Sequence, residues 1–265
     1  MTDFAAKTVV ITGASSGIGE ALAKAVDGRG VAGLGLLARR TDRLEELAGT
    51  LRAQAVVLTA DVTDRDQVKA AAERFAARMG APDVLFINAG VGQLLTGSRV
   101  DASLVRHVME VNFLGAVHVL EAFLPAMVER GGHVVVTSSV ASRRGLPGFA
   151  AYSASKAALD RYVEGLRVQL SGRGVRFTTI EPGFIKTPLT KKNRFWMPFL
   201  LEADDAAHRI VKAVERDRRR LTFPAPMAAL VKVLGLLPDG IYDRVMRRTL
   251  PAKKRTLPAK KKRRW

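Results

Sequence analysis

The sequence predicts one α/β domain, a doubly wound parallel sheet of about seven strands with helices on both faces. Short apolar, β-branched runs alternate with helical stretches along the first 181 residues. Most of these runs are nearly continuous, which is typical of strands covered on both faces. With 265 residues, 48% of them hydrophobic, the chain is long enough to bury one large core.

The alternation can be followed element by element. Strands are predicted over residues 7–12, 33–38, 55–60, 83–88, 133–138 and 175–181. Helices are predicted over residues 17–27, 42–52, 64–79, 104–130 and 152–170. Because helices separate the strands, the sheet is expected to be parallel with right-handed crossovers. The segment 61–64 supplies an N-cap for the helix that follows it.

The pattern changes after Pro182. A helix over 203–217, a strand over 220–223 and an apolar amphipathic stretch over 227–237 are predicted. We therefore expect a core over residues 1–188, a lid with C-terminal helices over 189–243 that completes the same domain, and a disordered tail over 244–265. Proline and dense like charge predict that disorder.

Positive charge is concentrated at the C-terminus. The net charge is +18, and eleven lysines and arginines follow Asp243 without any acid, so the first 243 residues carry +7. Three interpretations stay open. The tail binds an anionic membrane surface beside the apolar stretch 227–237, it binds nucleic acid through phosphates, or it has no specific partner.

The chain has no cysteine, which fits a reducing compartment. We expect a cytoplasmic protein, peripheral on the inner membrane surface under the first interpretation.

A glycine-rich turn, Thr12-Gly13-Ala14-Ser15-Ser16-Gly17-Ile18-Gly19, links the first strand to the first helix. Glycines allow a tight turn and close backbone approach, and the helix N-terminus offers free N–H groups. The turn predicts a diphosphate site formed by Gly13, Ser15, Ser16, Gly17, Ile18 and Gly19.

Two arginines, Arg39 and Arg40, follow the second strand, where an NAD site usually places an acid. Guanidinium groups accommodate the 2′-phosphate of NADP(H), so NADP(H) is preferred and NAD(H) is less expected. The alternative is that both arginines are solvated loop residues.

Tyr152 and Lys156 stand four residues apart on a predicted helix, so they share a face. A nearby ammonium lowers the pKa of a phenol and brings it into the range for proton transfer. Ser139 lies upstream and would hold a substrate oxygen beside Tyr152. Taken alone, a Tyr-x-x-x-Lys spacing also occurs by chance on helices.

Together these motifs resemble the short-chain dehydrogenase/reductase (SDR) family in its single-domain form. The resemblance rests on Thr12–Gly19, Asp61-Val62, Asn88-Ala89-Gly90, Asn112, Ser139, Tyr152 with Lys156, and Pro182-Gly183 followed by Thr187. These motifs keep the family's order and spacing over residues 7–188. The resemblance implies a Rossmann fold and NADP(H)-dependent interconversion of a carbonyl and a secondary alcohol.

The resemblance also implies roles. Tyr152 is expected to be the general acid or base, Lys156 to lower its pKa and hold the nicotinamide ribose, and Ser139 to position the substrate oxygen. Ser138 is interpreted as a strand-end residue. Asn112 supports a proton-carrying water chain or merely bends its helix. Cofactor contacts are expected from Asp61 and Val62 at the adenine, from Asn88, Ala89 and Gly90, and from Pro182, Gly183, Ile185 and Thr187 at the nicotinamide. No metal is expected.

Large apolar side chains follow the core motifs, notably Phe195, Trp196 and Phe199. They predict a pocket for a hydrophobic, lipid-, steroid- or retinoid-like substrate, or else ordinary core packing.

The resemblance implies a homo-oligomer, dimer or tetramer, through helices 104–130 and 152–170. The alternative function is a catalytically silent NADP-binding sensor or scaffold whose basic tail binds nucleic acid. Ser139, Tyr152 and Lys156 are all present, which favours the enzyme.

Overall fold

The computed structural model describes residues 2–92, 100–191 and 196–249. Its strands are β1 (Thr8–Thr12), β2 (Gly33–Ala38), β3 (Gln54–Thr59), β4 (Val84–Ile87), β5 (Gly132–Thr137), β6 (Val175–Pro182), β7 (Ile185–Lys186), β8 (Leu201–Glu202) and β9 (Arg220–Phe223). Within the described residues, seven strands form one parallel sheet in the order β3-β2-β1-β4-β5-β6-β9. The predicted doubly wound sheet is confirmed.

Helices cover both faces of the sheet. They are α1 (Gly17–Asp27), α2 (Thr41–Ala48), α3 (Arg65–Met79), α4 (Ala102–Met109), α5 (Gly115–Arg130), α6 (Ala150–Gln169), α7 (Ala203–Glu215), α8 (Ala225–Leu236) and α9 (Asp239–Arg247). One buried cluster joins α1, α2 and α7 to the sheet, and a second joins α3, α5 and α6 to it. The strands are nearly continuous in apolar residues because both faces are buried.

The strand order reverses beside β1, which pairs with β2 on one side and β4 on the other. The connections after β1 and β4 therefore leave in opposite directions and open a crevice at the carboxyl ends of the strands. Asp64 caps α3 by accepting hydrogen bonds from the N–H groups of Asp66 and Gln67, as predicted.

The helix predicted over 104–130 is divided in the structure. A π-helical turn, Glu110–Leu114, joins α4 to α5. The whole path from Ala102 to Arg130 is long and apolar enough to cross a membrane by length and composition alone. However, Val119, Phe123 and Met127 are buried in the core against the sheet, which accounts for that composition.

The C-terminal segment adds β7 and β8, which pair with each other, and then α7, β9, α8 and α9. The predicted start of the disordered tail at residue 244 is wrong, because α9 continues to Arg247. Tyr242 anchors this helix in a buried position, while Arg244 and Arg247 lie on its exposed side. Residues 250–265 lie outside the described residues.

Candidate active site

The glycine-rich turn is packed so closely that side chains have no room. A Cβ atom at Gly19 would lie 2.2 Å from the carbonyl oxygen of Gly13, and one at Gly13 would lie 2.9 Å from Cα of Ala89. Gly13 and Gly17 have φ angles of 70° and 61°, which glycine adopts without steric cost. The turn leads directly into α1, whose first N–H groups lack intrahelical partners. A diphosphate fits this site.

The two arginines after β2 are held differently. Nη2 of Arg40 donates to Oγ of Ser15 at 3.0 Å and to Oγ of Ser16 at 2.8 Å, so Arg40 folds over the glycine-rich turn. Nη1 of Arg39 lies 3.3 Å from Oδ2 of Asp61. Burial alone raises the pKa of Asp61, but hydrogen bonds from Thr63 and the charge of Arg39 outweigh it and hold the pKa below its ordinary value. Arg40 is therefore more than a solvated loop residue.

Asn88 ties the carboxyl ends of three strands together. Its backbone N–H and that of Ala89 donate to Oγ1 of Thr12 at 2.9 and 3.1 Å. Its side-chain amide donates to the carbonyl of Thr12 at 3.2 Å and accepts from Oγ1 of Thr137 at 3.2 Å. The ends of β1, β4 and β5 are thus fixed relative to one another.

Asn112 lies buried in the π-helical turn. Its Oδ1 accepts from the N–H of Val91 at 2.8 Å, and its Nδ2 donates to the carbonyl of Val91 at 2.9 Å and to Oγ of Ser155 at 3.0 Å. A Cβ atom at Gly90 would lie 3.3 Å from Oδ1 of Asn112 and 3.5 Å from Nζ of Lys156. Asn112 therefore bridges the segment after β4 to α6, and π-helical turns of this kind occur frequently at functional sites.

Ser139 and Tyr152 meet at the end of β5. Oγ of Ser139 accepts from the N–H of Ala141 at 3.1 Å, capping the short 3₁₀ turn Val140–Ser142. The hydroxyl of Ser139 also lies close enough to the Tyr152 hydroxyl to favour a lower pKa of that phenol. Ser138, one residue earlier, donates its backbone N–H to Ile180 at 2.7 Å, and its buried Oγ has no partner among the described residues. This placement agrees with the interpretation of Ser138 as a strand-end residue.

The ammonium of Lys156 donates to the carbonyl of Thr137 at 2.8 Å and lies 6.0 Å from the centre of the Tyr152 ring. Burial lowers the pKa of Lys156 to about 8, and the negative charge of Asp160 partly opposes that effect. Burial raises the pKa of Tyr152, and the hydrogen bond from Ser139 opposes this less strongly. The net shift of the Tyr152 pKa is therefore upward and not downward as predicted, because desolvation dominates and the Lys156 ammonium is directed at a carbonyl.

A buried ion network lies behind the site. Glu181 is completely buried, and Arg143 donates to both of its oxygens, at 3.2 and 2.8 Å. Thr222 donates to it at 2.6 Å, and Arg220 pairs with it and lies 3.6 Å from Asp160. Burial alone raises the pKa of Glu181, but hydrogen bonds from Arg143 and Thr222 outweigh it, so the pKa lies below its ordinary value.

The sequence analysis missed this network. Its only signal in the sequence is the acid that follows the uncharged run 177–180, directly before Pro182. Arg143 follows Ser139 by four residues, and Asp160 lies one helical turn beyond Lys156 on α6. Glu181 therefore links the segment that carries Ser139 and, through Arg220, the helix that carries Lys156.

The segment after β6 closes the crevice from the other side. The N–H of Gly183 donates to the carbonyl of Phe223 at 2.8 Å, and Ile185 is buried. A Cβ atom at Gly17 would lie 3.0 Å from Cγ2 of Thr187, so Thr187 touches the glycine-rich turn. Val62, by contrast, is buried against α5, where a Cβ atom at Gly115 would meet its side chain.

The apolar residues of the predicted lid are largely exposed. Trp196 is 83% exposed and Phe199 is 51% exposed, with an unusual φ of 55° for a bulky residue. Phe195 lies outside the described residues. The alternative of ordinary core packing is therefore wrong for Trp196 and Phe199.

Comparison with known proteins identifies the family. The sequence model of the short chain dehydrogenase family matches residues 7–198. An uncharacterized oxidoreductase of Myxococcus xanthus is 40% identical over 252 residues, which make up 94% of this chain and 99% of that protein. The chain belongs to the short-chain dehydrogenase/reductase family, and it is an oxidoreductase that uses a nicotinamide cofactor.

Solved structures agree with this assignment. A short chain dehydrogenase from Burkholderia cenocepacia J2315 in complex with NADP has a TM-score of 0.81 and 27% identity, covering 92% of this chain and 99% of its own. L-Sorbose reductase from Gluconobacter frateurii, complexed with NADPH and L-sorbose, has a TM-score of 0.74 and 26% identity, covering 84% and 97%. Both likenesses confirm the expected fold.

Replacing Glu181 by Gln tests the buried network. The substitution leaves Arg143 and Arg220 without their shared counter-charge, so the free energy of unfolding should fall by about 3 kcal/mol. Urea unfolding followed by circular dichroism measures this change. Glu121→Gln is the matched control, because Glu121 and its partner Arg65 form an exposed ion pair. Loss of an exposed pair should leave the unfolding midpoint unchanged. Equal effects of the two substitutions would show that the network contributes no special stability.

Proposed function

We propose that this enzyme interconverts a carbonyl and a secondary alcohol, with Tyr152 as the general acid in reduction and the general base in oxidation. The supporting observation is the proximity of the Ser139 and Tyr152 hydroxyls at the end of β5, with Lys156 on the same face of α6. The bound nicotinamide supplies or accepts the hydride. The residues of the chain orient the substrate and move the proton.

In the direction of reduction, the hydroxyls of Ser139 and Tyr152 hold the substrate oxygen. Tyr152 then gives its proton to that oxygen as the carbonyl becomes an alcohol. Burial raises the pKa of Tyr152, so the phenol begins the reaction protonated at neutral pH. The phenolate that remains is stabilised by the hydroxyl of Ser139 and by the ammonium of Lys156. With a pKa of about 8, Lys156 is charged at neutral pH.

Asn112 is proposed to support the return of a proton to Tyr152 through Lys156. Its side chain is anchored on Val91 and Ser155, beside the ammonium of Lys156. A catalytically silent sensor or scaffold has less support, since Ser139, Tyr152 and Lys156 are assembled together at one end of the sheet.

We propose NADP(H) as the preferred cofactor. The glycine-rich turn would hold its diphosphate, while Arg39 and Arg40 would face the 2′-phosphate. Asp61 and Val62 would lie at the adenine, and the segment 88–90 along the crevice. Pro182, Gly183, Ile185 and Thr187 would lie at the nicotinamide. The NADP complex of the Burkholderia dehydrogenase supports this assignment.

We propose a hydrophobic substrate, lipid-, steroid- or retinoid-like. The exposed side chains of Trp196, Phe199 and Leu200 lie in the segment after β7 and support an apolar entrance to the crevice. L-Sorbose reductase has a similar fold and acts on a sugar. The substrate proposal therefore depends on these side chains and not on the fold.

Tyr152→Phe removes the proton donor without changing the shape of the side chain. Turnover should fall by a factor of about 10²–10⁴, while NADPH binding, followed by its fluorescence, stays unchanged. Tyr162→Phe is the control on the same helix, since Tyr162 contacts Phe113 at its edge and should be dispensable for turnover. Full activity in Tyr152→Phe would refute Tyr152 as the general acid.

Arg40→Ala tests the cofactor preference. It removes a guanidinium from beside the glycine-rich turn, so the dissociation constant of NADPH should rise about tenfold or more, while that of NADH stays nearly constant. Arg43→Ala is the control, because Arg43 pairs with Glu46 on the exposed surface of α2. Parallel losses for both cofactors in Arg40→Ala would contradict a 2′-phosphate contact.

A screen of NADPH oxidation tests the substrate class. Long-chain ketones, keto-steroids and aromatic aldehydes should give larger kcat/KM values than sugars such as L-sorbose. Trp196→Ala should raise KM for the apolar substrates, because it removes an aromatic surface at the entrance. A preference for sugars, unaffected by Trp196→Ala, would overturn the substrate proposal while leaving the reaction intact.

A further inference from the structure

The helix α8 has an unusual combination of composition and exposure. Its sequence, APMAALVKVLGL, contains no acid and one cation, Lys232, and it is apolar on all sides. Such helices are normally buried, but Met227 is the one residue of α8 that is fully buried. Val233 is 57% exposed and Leu236 is 78% exposed.

The following helix extends this surface. Ile241 and Val245 of α9 are exposed, and the same helix carries cations in its last turn. We call the exposed apolar side chains of the two helices the docking face: Leu230, Val233, Leu236, Ile241 and Val245. Of the two acids of α9, Asp239 pairs with Arg144 at 3.2 Å, and Asp243 is followed directly by Arg244.

Both helices are fixed to the catalytic end of the molecule. β9 runs directly into α8, and Phe223 of β9 pairs with Pro182 in the sheet, so α8 begins at the carboxyl edge. A Cβ atom at Gly183 would lie 3.1 Å from Met227.

The helix α9 is attached to the loop that precedes Tyr152. The guanidinium of Arg144 stacks on the ring of Tyr242 at 4.2 Å, and the Tyr242 hydroxyl donates to the carbonyl of Gly145 at 2.6 Å. The docking face is thus attached to the same end of the protein as Ser139 and Tyr152.

We propose that α8 and α9 dock this enzyme on an anionic lipid surface. With twelve residues, α8 is about 18 Å long, too short for a hydrocarbon core of about 30 Å. It therefore lies in the plane of the interface with its apolar side chains among the acyl chains. The eleven cations after Asp243 provide a second, electrostatic attachment. Two weak signals of this kind together give reversible binding.

Charge and composition favour lipid over the other occupants. Nucleic acid binds cations through its phosphates, but those phosphates make no favourable contact with five exposed apolar side chains. A symmetric dimer through the docking face would bring the arginines of α9 close to their own copies, and like charges repel across an interface. An anionic lipid surface offers acyl chains to the apolar side chains of the docking face and negative headgroups to the cations that follow Asp243.

Docking would place the entrance of the active site at the membrane, where apolar carbonyl compounds accumulate. This consequence rests on the proposed substrate class, whereas the docking itself does not. The two are separable, because vesicle binding is measured without cofactor or substrate. Tyr152→Phe should bind vesicles as the unaltered chain does.

The test is co-sedimentation of the full chain with vesicles of phosphatidylcholine, with and without phosphatidylglycerol. We expect binding to the anionic vesicles and much weaker binding to the neutral ones. The double variant Val233→Gln with Leu236→Gln should bind anionic vesicles about tenfold more weakly, because two apolar side chains no longer enter the lipid. Truncation after Thr249 removes eight cations and should weaken binding about fivefold for each cation engaged.

Val168→Gln is the matched control, since this valine of α6 is 63% exposed and lies outside the docking face. It should bind vesicles like the unaltered chain, and retained NADPH binding shows that each variant is folded. Equal vesicle binding by the double variant and the unaltered chain would overturn the proposal. So would binding of duplex DNA without vesicle binding, or a dimer that the double variant dissociates while no form of the chain binds vesicles.

Discussion

The parallel pairing of β1 with β4 is the contact on which the rest of the site depends. Because β2 lies on the other side of β1, the connections diverge here and leave a crevice at the carboxyl ends of the strands. Asn88 fixes this edge through hydrogen bonds to Thr12 and Thr137. The glycine-rich turn lies against Ala89, and Asn112 and Lys156 lie against Gly90, so both approach the segment that follows β4.

Desolvation determines the charge states at this edge. The pKa of Tyr152 is raised and that of Lys156 is lowered for the same reason, the burial of both groups. The negative charge of Asp160 opposes the effect of burial on Lys156 and favours its charged form. Glu181 stays ionised despite its burial because Arg143 and Thr222 donate hydrogen bonds to it. The network is thus a structural link between segments, and one of its acids, Asp160, supports the charge of Lys156.

Particular elements show how far sequence reasoning reaches. The doubly wound parallel sheet of about seven strands was within its reach, because apolar runs separated by helices admit few topologies. The π-helical turn at Asn112 was not, since a continuous helix satisfies the same apolar pattern. The pKa of Tyr152 was predicted in the wrong direction, because the spacing of Tyr152 and Lys156 shows a shared helix face but neither the burial nor the carbonyl of Thr137 that receives the ammonium. The ion network around Glu181 joins residues up to 60 positions apart, and no local pattern reports such a contact.

The sequence by itself determined the fold class, the family and the positions of the motifs, because these depend on local periodicity and on short spacings along one chain. Only the tertiary structure decided how Arg40 folds over the glycine-rich turn, which charges share Glu181, and which side of α8 is exposed. Those features depend on contacts between segments distant in sequence and on the exclusion of water around them. The same composition that predicts an apolar stretch at 227–237 describes a buried core helix or an exposed surface helix equally well, and the exposure of Val233 and Leu236 excludes the buried one.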